Sequence, residues 1–309
     1  MRARARPKRT KLCLIREYRS VGDGMKYCRF IFEGDPHYGR VEERGGELWI
    51  VDLAEAPEED LAYKVAHARL TAARALVTDV ASFDFEPMPL SEAKLLAPVT
   101  PSKIVCVGRN YRDHAKELGN EIPGEPLLFF KPPSSLLAPG GVVRMPAVSE
   151  RVDFEGELAV VVGRRATKLK ADLDWRTFVR GYTLANDVTA RDLQKKDGQW
   201  TRAKGFDTFC PVGPLVSDEV DPDVGLELET RVNSALRQHG STKDFIFAIP
   251  ELLRYITAAI TLEPGDLVLT GTPAGVGPVA TGDRVDVAMR GLGVLTNTFV
   301  ADEGAADVG

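Results

Sequence analysis

The sequence predicts a β-rich α+β protein that begins with a small N-terminal β-domain. Residues 27–32 and 47–51 alternate apolar and polar side chains and are separated by glycine-containing turns, a pattern typical of a β-meander. Apolar runs at 103–108, 158–162 and 267–270 are short and rich in β-branched residues, so they indicate buried strands. A few helical stretches between these strands favour the α+β class.

Length and composition bound the number of domains. The chain has 309 residues, of which 44% are hydrophobic and 28% charged, which suits one large and one small domain. No apolar run approaches the roughly 18 residues of a membrane-spanning helix, so we expect no membrane partner. Helical spacing of apolar residues predicts a helix at 59–77. The predicted units are residues 1–24 (a basic, disordered extension), 25–98 (the small β-domain and a proline-punctuated linker), 99–303 (the larger domain) and 304–309 (a tail).

The N-terminal segment differs in charge from the rest of the chain. Residues 1–24 hold eight Lys or Arg and two acidic residues, a local charge of +6. Because the whole chain carries −5, the remainder carries −11. The composition is compatible with a transit peptide or a nucleic-acid-binding arm, but we interpret the segment as a disordered extension. The acidic remainder predicts no nucleic-acid partner.

The cysteines indicate the compartment. Cys13, Cys28, Cys106 and Cys210 are far apart and form no C-x-x-C pair, which argues against a zinc site and a disulfide framework. A reducing, cytoplasmic location is therefore expected.

A histidine and a glutamate share one face of a predicted helix. The strand at 103–108 is followed by a helix at 109–119, in which His114 and Glu117 are three residues apart. A histidine oriented by a carboxylate is a competent general base. A solvated surface pair is the alternative interpretation.

The segment around this helix is predicted to move. Glycine and proline follow the helix, so residues 109–125 are expected to form a lid that closes over a site. The next predicted strand, at 127–131, has Lys131 at its polar end.

An acidic strand indicates a metal site. Asp153, Glu155 and Glu157 occupy alternate positions, so on one strand they would point to the same side. Like charges this close repel unless a cation lies between them, and an oxygen-only set suits a hard divalent cation. An edge strand with a solvated acidic face is the alternative. The run at 158–162 weighs against it, because a strand buried on both faces is expected there.

A second acidic strand end provides a third carboxylate. Residues 182–187 are predicted to form a strand that ends at Asp187, the expected third metal ligand, although an acid at the start of a helix is the alternative. Thr189 is then predicted to cap a helix that carries Arg191 and Gln194.

Two later loops are predicted to approach the same site. Residues 200–214 are rich in turn formers and aromatic side chains, which indicates an ordered loop over a site. Lys204 in this loop would balance the carboxylates and an anionic substrate, although most loop lysines are merely solvated. In residues 271–277 the glycines allow backbone N–H groups and Thr272 to approach a substrate oxygen.

These motifs, taken together, are similar to those of a known family. Over residues 101–300 the sequence resembles the fumarylacetoacetate hydrolase family, with a small N-terminal domain like that of its bacterial members. The matching motifs, in family order, are Gly108-Arg-Asn-Tyr-Arg-Asp-His-Ala-Lys-Glu, Asp153-Phe-Glu-Gly-Glu-Leu, Gly181-Tyr-Thr-Leu-Ala-Asn-Asp-Val-Thr-Ala-Arg-Asp-Leu-Gln, Trp200-Thr-Arg-Ala-Lys-Gly-Phe-Asp and Thr270-Gly-Thr-Pro-Ala-Gly-Val-Gly.

The resemblance implies a fold and a set of site residues. The implied fold is a mixed, β-rich, sandwich-like roll in a homodimer. Asp153 is implied to lie behind the metal ligands. The implied roles are Mg²⁺ or Mn²⁺ ligands (Glu155, Glu157, Asp187), catalytic groups (His114 and Glu117 of the lid, with Lys204) and substrate contacts (Arg191, Gln194, Thr272, Gly271, Lys131).

The resemblance also implies a chemistry. A 2-oxo or 1,3-dicarbonyl diacid would chelate the metal, which would act as a Lewis acid that stabilises an enolate. Hydrolysis of a C–C bond in an acylpyruvate-like diacid, or isomerisation, in aromatic catabolism is the favoured activity. Oxaloacetate decarboxylation or tautomerisation is the alternative. Two interpretations from other classes are a catalytically silent, metal-stabilised binding protein and nucleic-acid binding through the basic N-terminus.

Overall fold

A computed structural model describes residues 25–57, 60, 85–117, 119 and 121–302. These residues form 20 strands, four α-helices and five short 3₁₀ helices. The strands are β1 Lys26–Phe32, β2 Asp35–Arg44, β3 Glu47–Ala54, β4 Met88–Pro89, β5 Lys94–Leu96, β6 Ile104–Gly108, β7 Leu127–Lys131, β8 Leu136–Leu137, β9 Val142–Met145, β10 Val152–Phe154, β11 Gly156–Val162, β12 Val179–Asn186, β13 Thr189–Ala190, β14 Cys210–Ser217, β15 Glu227–Val232, β16 Ala235–Ser241, β17 Leu267–Leu269, β18 Gly277–Pro278, β19 Arg284–Met289 and β20 Gly293–Ala301. The α-helices are α1 Arg112–Glu117, α2 Arg191–Asp197, α3 Thr201–Lys204 and α4 Ile249–Ala259. The 3₁₀ helices are Leu90–Glu92, Pro133–Ser135, Trp175–Phe178, Pro222–Val224 and Thr242–Asp244. No described helix is both long enough and apolar enough to span a membrane.

Three mixed or antiparallel sheets make up the fold. The largest has 12 strands in the order β4-β3-β2-β1-β14-β12-β11-β17-β6-β7, with β5 beside β1 and β8 beside β14. A five-stranded sheet has the order β16-β15-β19-β20-β9, and a three-stranded sheet the order β13-β10-β18. The N-terminal meander joins the large sheet where Lys26 of β1 lies opposite Ser217 of β14. The predicted β-rich α+β class with a small N-terminal β-domain is confirmed.

Strand β11 lies in the middle of the core. Leu158, Val160 and Val162 face one hydrophobic cluster, and Ala159 and Val161 face a second. All five are at most 1% exposed. Since successive side chains of a strand point to opposite faces, β11 is buried on both, as its apolar run predicted.

The alternation of its carboxylates predicted that the acidic segment is one continuous strand. The structure shows that it is not. It divides at Glu155 into β10 and β11, which belong to different sheets. The Glu155 N–H donates to the side-chain Oδ1 of Asn186 at 2.9 Å instead of a neighbouring strand. This side-chain acceptor replaces a strand partner, so Asp153 is separated from Glu155 and Glu157.

The lid helix is shorter than predicted. It begins at Arg112 rather than residue 109, because Arg109 has a φ of +57° and Tyr111 forms an isolated β-bridge with Phe245. A left-handed residue cannot continue a right-handed helix. The described part of the helix ends at Glu117, and Gly119 has the positive φ of +67° expected of a terminating glycine.

The cap of α2 also differs from the prediction. Ala190, not Thr189, occupies the N-cap position, and no side chain caps the helix. The Thr189 hydroxyl donates instead to the carbonyl oxygen of Asp187 at 2.9 Å. A local hydrogen bond to the preceding turn therefore replaces the predicted cap.

Two predicted irregular segments contain regular structure. Residues 200–214 include α3 and the beginning of β14, and the predicted linker before residue 99 includes β4 and β5, which pair with the N-terminal meander. The predicted helix at 59–77 lies outside the described residues, except for residue 60, and the extension 1–24 lies wholly outside them.

The topology brings four chain segments to one edge of the large sheet. Gly156 at the start of β11 lies opposite Asn186 at the end of β12. Strands β17 and β6 are parallel, with Leu269 beside Cys106, so both end at the same edge. The residues that follow β6, β12 and β17 and those that begin β11 therefore meet there.

We expect Gly156→Ala to destabilise the protein. A Cβ at this position would collide with the Thr230 hydroxyl and lie 3.2 and 3.3 Å from the methyl carbons of Val287. Overpacking of this kind costs about 1–3 kcal/mol, which predicts a lower Tm in thermal unfolding. Gly124→Ala is the control, because a Cβ there meets nothing within 4 Å. Equal Tm values for the two variants would contradict the prediction.

Candidate active site

Three buried carboxylates converge at the sheet edge. Glu155 and Glu157 flank the first residue of β11, and Asp187 directly follows β12. The Asp187 N–H donates to the Glu155 carbonyl at 2.8 Å, which fixes the two strand ends together. One ligand oxygen from each side chain lies within 4.8 Å of the other two, and each residue is at most 5% exposed. Three converging hard oxygen donors fit a divalent cation such as Mg²⁺ or Mn²⁺.

Two lysines contact these carboxylates. Lys204 Nζ donates to Glu155 Oε2 at 2.8 Å and to Asp187 Oδ2 at 2.5 Å. Lys131 Nζ donates to the other oxygen of Asp187, Oδ1, at 2.7 Å and to the Val188 carbonyl at 3.1 Å. Both lysine side chains are at most 2% exposed, so these charge-assisted hydrogen bonds lie in a largely water-excluded environment.

Glu155, Glu157 and Lys204 have pKa values set by burial and by neighbouring charges. Burial would raise the pKa of Glu155, but Lys204 and Arg191 outweigh it and hold that pKa well below the ordinary value. Burial, reinforced by the charges of Asp187 and Glu155, raises the pKa of Glu157 well above the ordinary value. Burial would lower the pKa of Lys204, but Asp187 and Glu155 raise it instead. Glu155 and Asp187 contact cationic side chains, whereas Glu157 accepts from a backbone N–H, so a divalent cation would stabilise its charged form.

Arg191 connects Asp153 with the cluster. Its Nε donates to Asp153 Oδ2 at 2.9 Å, its Nη2 to Glu155 Oε1 at 2.5 Å and its Nη1 to Gln194 Oε1 at 2.7 Å. Arg151 donates to Asp153 from the other side, through Nε at 2.8 Å and Nη2 at 3.1 Å. Asp153 therefore positions Arg191 and lies behind the three carboxylates, as the resemblance implied.

The histidine and glutamate of α1 face the same region. His114 Nδ1 lies 3.4 Å from Glu117 Oε2, and the imidazole is nearly buried. Both oxygens of Glu117 accept the Gly275 N–H at 3.1 Å, which connects α1 to the loop after β17. Burial lowers the pKa of His114, although Glu155 and Glu117 act in the opposite direction. The ring is therefore neutral at neutral pH and can accept a proton.

A cleft of about 290 Å³ joins these groups. Eight predicted site residues line the cleft. Glu117 does not line it but contacts His114, which does. The lining residues are Val107, Gly108, Arg109, His114, Phe129, Glu155, Glu157, Asp187, Arg191, Gln194, Lys195, Trp200, Lys204 and Thr272.

Six lining residues had no assigned role in the sequence analysis, and four of them have large side chains. Phe129 and Trp200 pack edge to face with ring centroids 5.1 Å apart, and Lys204 Nζ lies 5.0 Å from the Phe129 ring. Arg109 and Lys195 add two cationic side chains to the cleft wall. Arg109 lies in a motif used for the resemblance and Lys195 is one residue beyond Gln194, so proximity to those motifs was the available signal.

Several residues predicted to contact substrate form hydrogen bonds within the protein. Lys131 does not line the cleft but supports Asp187, because its ammonium reaches that carboxylate from within the protein. The Gly271 N–H donates to Glu157 Oε2 at 2.7 Å, and the Thr272 hydroxyl donates to the Gly156 carbonyl at 2.8 Å. Thr272 and Gln194 line the cleft, whereas Lys131 and Gly271 do not, and the substrate contacts of all four stay predictions.

Two family descriptions match adjacent parts of the chain. "Fumarylacetoacetate (FAA) hydrolase C-terminal" matches residues 103–300, and "Rv2993c-like, N-terminal" matches residues 25–98. The first match alone covers more than half of the chain. The resemblance inferred from the five motifs is confirmed.

Individual relatives show the same similarity. Oxaloacetate tautomerase YisK of Bacillus subtilis is 43% identical over 249 residues, covering 75% of this chain and 81% of YisK. The mitochondrial oxaloacetate decarboxylase of Dictyostelium discoideum is 47% identical over 201 residues, covering 62% of this chain and 91% of that protein. A crystal structure of 2-hydroxyhepta-2,4-diene-1,7-dioate isomerase from Mycobacterium marinum has a TM-score of 0.74 and 39% identity, covering 91% of this chain and all of that one.

Proposed function

The chain belongs to the fumarylacetoacetate hydrolase family, and we propose that it is a divalent-metal-dependent enzyme that enolises a 2-oxo dicarboxylic acid. The observation that carries this proposal is one cleft that contains three converging carboxylates, a buried histidine and a buried lysine. Enolisation needs a base for a proton next to a carbonyl and positive charge near the oxygen that becomes negative.

Glu155, Glu157 and Asp187 would hold the metal, for which we propose Mg²⁺ or Mn²⁺. When bound, such an ion supplies Lewis acidity toward the substrate's 2-oxo group. Both ions are satisfied by carboxylate, carbonyl and water oxygens, which agrees with the absence of nitrogen and sulfur donors from this described cluster.

The other residues would handle the proton and the substrate's charge. His114 Nε2 would take the proton from the carbon beside the 2-oxo group, while Glu117 holds the ring through Nδ1. Lys204 would stabilise negative charge on the enol oxygen, and Arg191 and Gln194 would orient the adjacent carboxylate. Arg109 and Lys195 make the cleft wall suitable for a second carboxylate.

Oxaloacetate tautomerisation is the first reaction that we propose, with isomerisation of a longer unsaturated diacid as its close variant. The cleft is large enough for a four-carbon diacid, and the compared relatives carry tautomerase, decarboxylase and isomerase names. C–C hydrolysis of an acylpyruvate, which the sequence favoured, is the second candidate. The His114–Glu117 pair favours it, because the same base could activate water.

A substrate panel tests the proposal. Oxaloacetate, an acylpyruvate and 2-hydroxyhepta-2,4-diene-1,7-dioate should be assayed with Mg²⁺, with Mn²⁺ and with a chelator. We expect faster interconversion of enol and keto oxaloacetate without release of pyruvate, and its loss in chelator. Pyruvate from the acylpyruvate would support hydrolysis, and pyruvate from oxaloacetate would support decarboxylation. No metal-dependent reaction of any substrate would contradict the proposed function.

We expect His114→Ala to lower kcat by about 10²–10⁴-fold with a smaller change in KM, because general-base catalysis contributes roughly that factor. Steady-state kinetics on the active panel substrate measures both constants. His239→Ala is the matched control, since His239 is an exposed histidine that also pairs with a glutamate, Glu227, at 3.2 Å. Unchanged kcat in His114→Ala would exclude the histidine as base and favour decarboxylation.

Five expectations from the sequence stay predictions: the homodimer, the cytoplasmic location, the absence of a nucleic-acid partner, a role in aromatic catabolism, and closure of residues 109–125 as a lid. The gel-filtration mass of the purified protein tests the first. A lid would bring His114 over bound substrate and exclude water from the cleft.

A further inference from the structure

Each of the three site carboxylates has one oxygen that accepts from a donor other than Lys204. Lys131 Nζ donates to Asp187 Oδ1 at 2.7 Å, and Arg191 Nη2 donates to Glu155 Oε1 at 2.5 Å. The Gly271 N–H donates to Glu157 Oε2 at 2.7 Å. The three donors come from unrelated positions of the chain: the end of β7, the start of α2 and the loop after β17.

The opposite oxygens have different surroundings. Glu155 Oε2 and Asp187 Oδ2 contact the ammonium of Lys204, which lines the cleft. Among the described residues, Glu157 Oε1 has no hydrogen-bond donor. For Asp187, therefore, one oxygen contacts a lysine that lines the cleft, and the other is bound to Lys131, which does not line it.

We propose that Lys131 is a positioning residue that restricts Asp187 to one ligand oxygen, and that with Arg191 and Gly271 it selects a small six-coordinate cation against Ca²⁺. Ca²⁺ takes 6–8 oxygens and commonly uses both oxygens of a carboxylate, whereas Mg²⁺ requires an octahedral set and keeps several waters. Carboxylates that each offer one oxygen would supply three of the six ligands of Mg²⁺, whereas Ca²⁺ would lose the second carboxylate oxygens that it commonly uses. The inference rests on the proposed function, because it presupposes the metal site.

Lys131 is the donor whose role can be isolated. Its side chain is fully buried, it does not line the cleft, and its second bond to the Val188 carbonyl fixes the ammonium in place. Arg191, by contrast, lines the cleft and also binds Asp153 and Gln194, and the Gly271 donor is backbone. A change at Lys131 therefore frees Asp187 Oδ1 without removing a group from the cleft.

The test is the ratio of Ca²⁺ to Mg²⁺ dissociation constants, measured by calorimetry on the full-length, metal-stripped protein. Lys131→Met keeps a long side chain but removes the ammonium, and we expect the ratio to fall at least about tenfold, the lower range for loss of a partner that orients a metal ligand. Lys103→Met is the matched control. It removes another largely buried lysine that pairs with a buried aspartate, Asp266, outside the cleft, and it should leave the ratio unchanged.

The outcomes separate the inference from the proposed function. A wild-type protein that binds neither cation would overturn the metal site and the inference together. A wild-type protein that binds Mg²⁺, with the same ratio in a folded Lys131→Met variant, would overturn the inference alone. If Lys131→Met does not fold, a wild-type crystal structure with Mn²⁺ decides. One Asp187 oxygen on the ion, with Lys131 on the other, supports the inference, and both oxygens on the ion overturn it.

Discussion

Replacing Glu155 by glutamine should weaken metal binding and lower turnover together, each by at least about 100-fold. Loss of a hydrogen-bond partner behind a metal ligand costs 10–100-fold, and loss of the ligand's own charge should cost more. Glu155 also faces two buried cations, Lys204 at 2.8 Å and Arg191 at 2.5 Å, so the neutral amide leaves both less compensated. Calorimetric titration with Mg²⁺ and steady-state kinetics at saturating metal measure the two effects.

Glu227→Gln is the control for this prediction, because Glu227 is more than half exposed and lies outside the cleft. It should keep wild-type metal affinity and turnover. Full activity of Glu155→Gln, or of the wild-type protein in chelator, would show that the carboxylates have a structural role and that the reaction does not need the metal.

Local patterns predicted the elements whose contacts are themselves local or periodic. The alternating faces of β11 follow from an apolar run, and β7 occupies the predicted residues 127–131. The alternate spacing of Glu155 and Glu157 predicted that the two carboxylates belong to one site, and they flank the first residue of β11. In each case the determining residues are within a few positions of one another.

Features that depend on contacts between residues distant in sequence were not predicted correctly. The break at Glu155 depends on the Asn186 side chain, 31 residues away, which takes the N–H that a continuous strand would use. Lys131 was assigned to substrate, yet its ammonium meets Asp187, 56 residues away. A lysine at the end of a strand can reach several groups, and its partner here lies at a strand end that is distant in sequence.

The hydrogen-bond partners of loop residues were also not predictable from the sequence. Predicted backbone and hydroxyl donors in residues 271–277 are present, but the Gly271 N–H binds a site carboxylate, and Thr272 binds the Gly156 carbonyl and accepts from Gln238 at 2.7 Å. The sequence identified groups able to donate, whereas their partners depend on the antiparallel register of β17 against β11.

Lys204→Met should reduce kcat by about 10²–10³-fold, the usual cost of losing one preorganised group that stabilises a developing oxyanion. The ammonium is nearly buried, lies 5.0 Å from the Phe129 ring and lines the cleft, so it can serve bound substrate in a site from which water is largely excluded. Mg²⁺ affinity should stay equal or increase, because Lys204 contacts the carboxylate oxygens that the metal would use. Kinetics and calorimetry on the same preparation separate the two effects.

Lys196→Met is the control for Lys204, because Lys196 is an exposed lysine of the neighbouring helix α2 that does not line the cleft. It should leave both kcat and Mg²⁺ affinity unchanged. The distinction that matters is between a ligand and a charge-stabilising group: Glu155→Gln lowers metal affinity and turnover in parallel, whereas Lys204→Met lowers turnover alone. A Lys204→Met variant with wild-type kcat, or one whose lost activity returns fully on adding metal, would show that Lys204 only compensates the carboxylates and takes no part in the reaction.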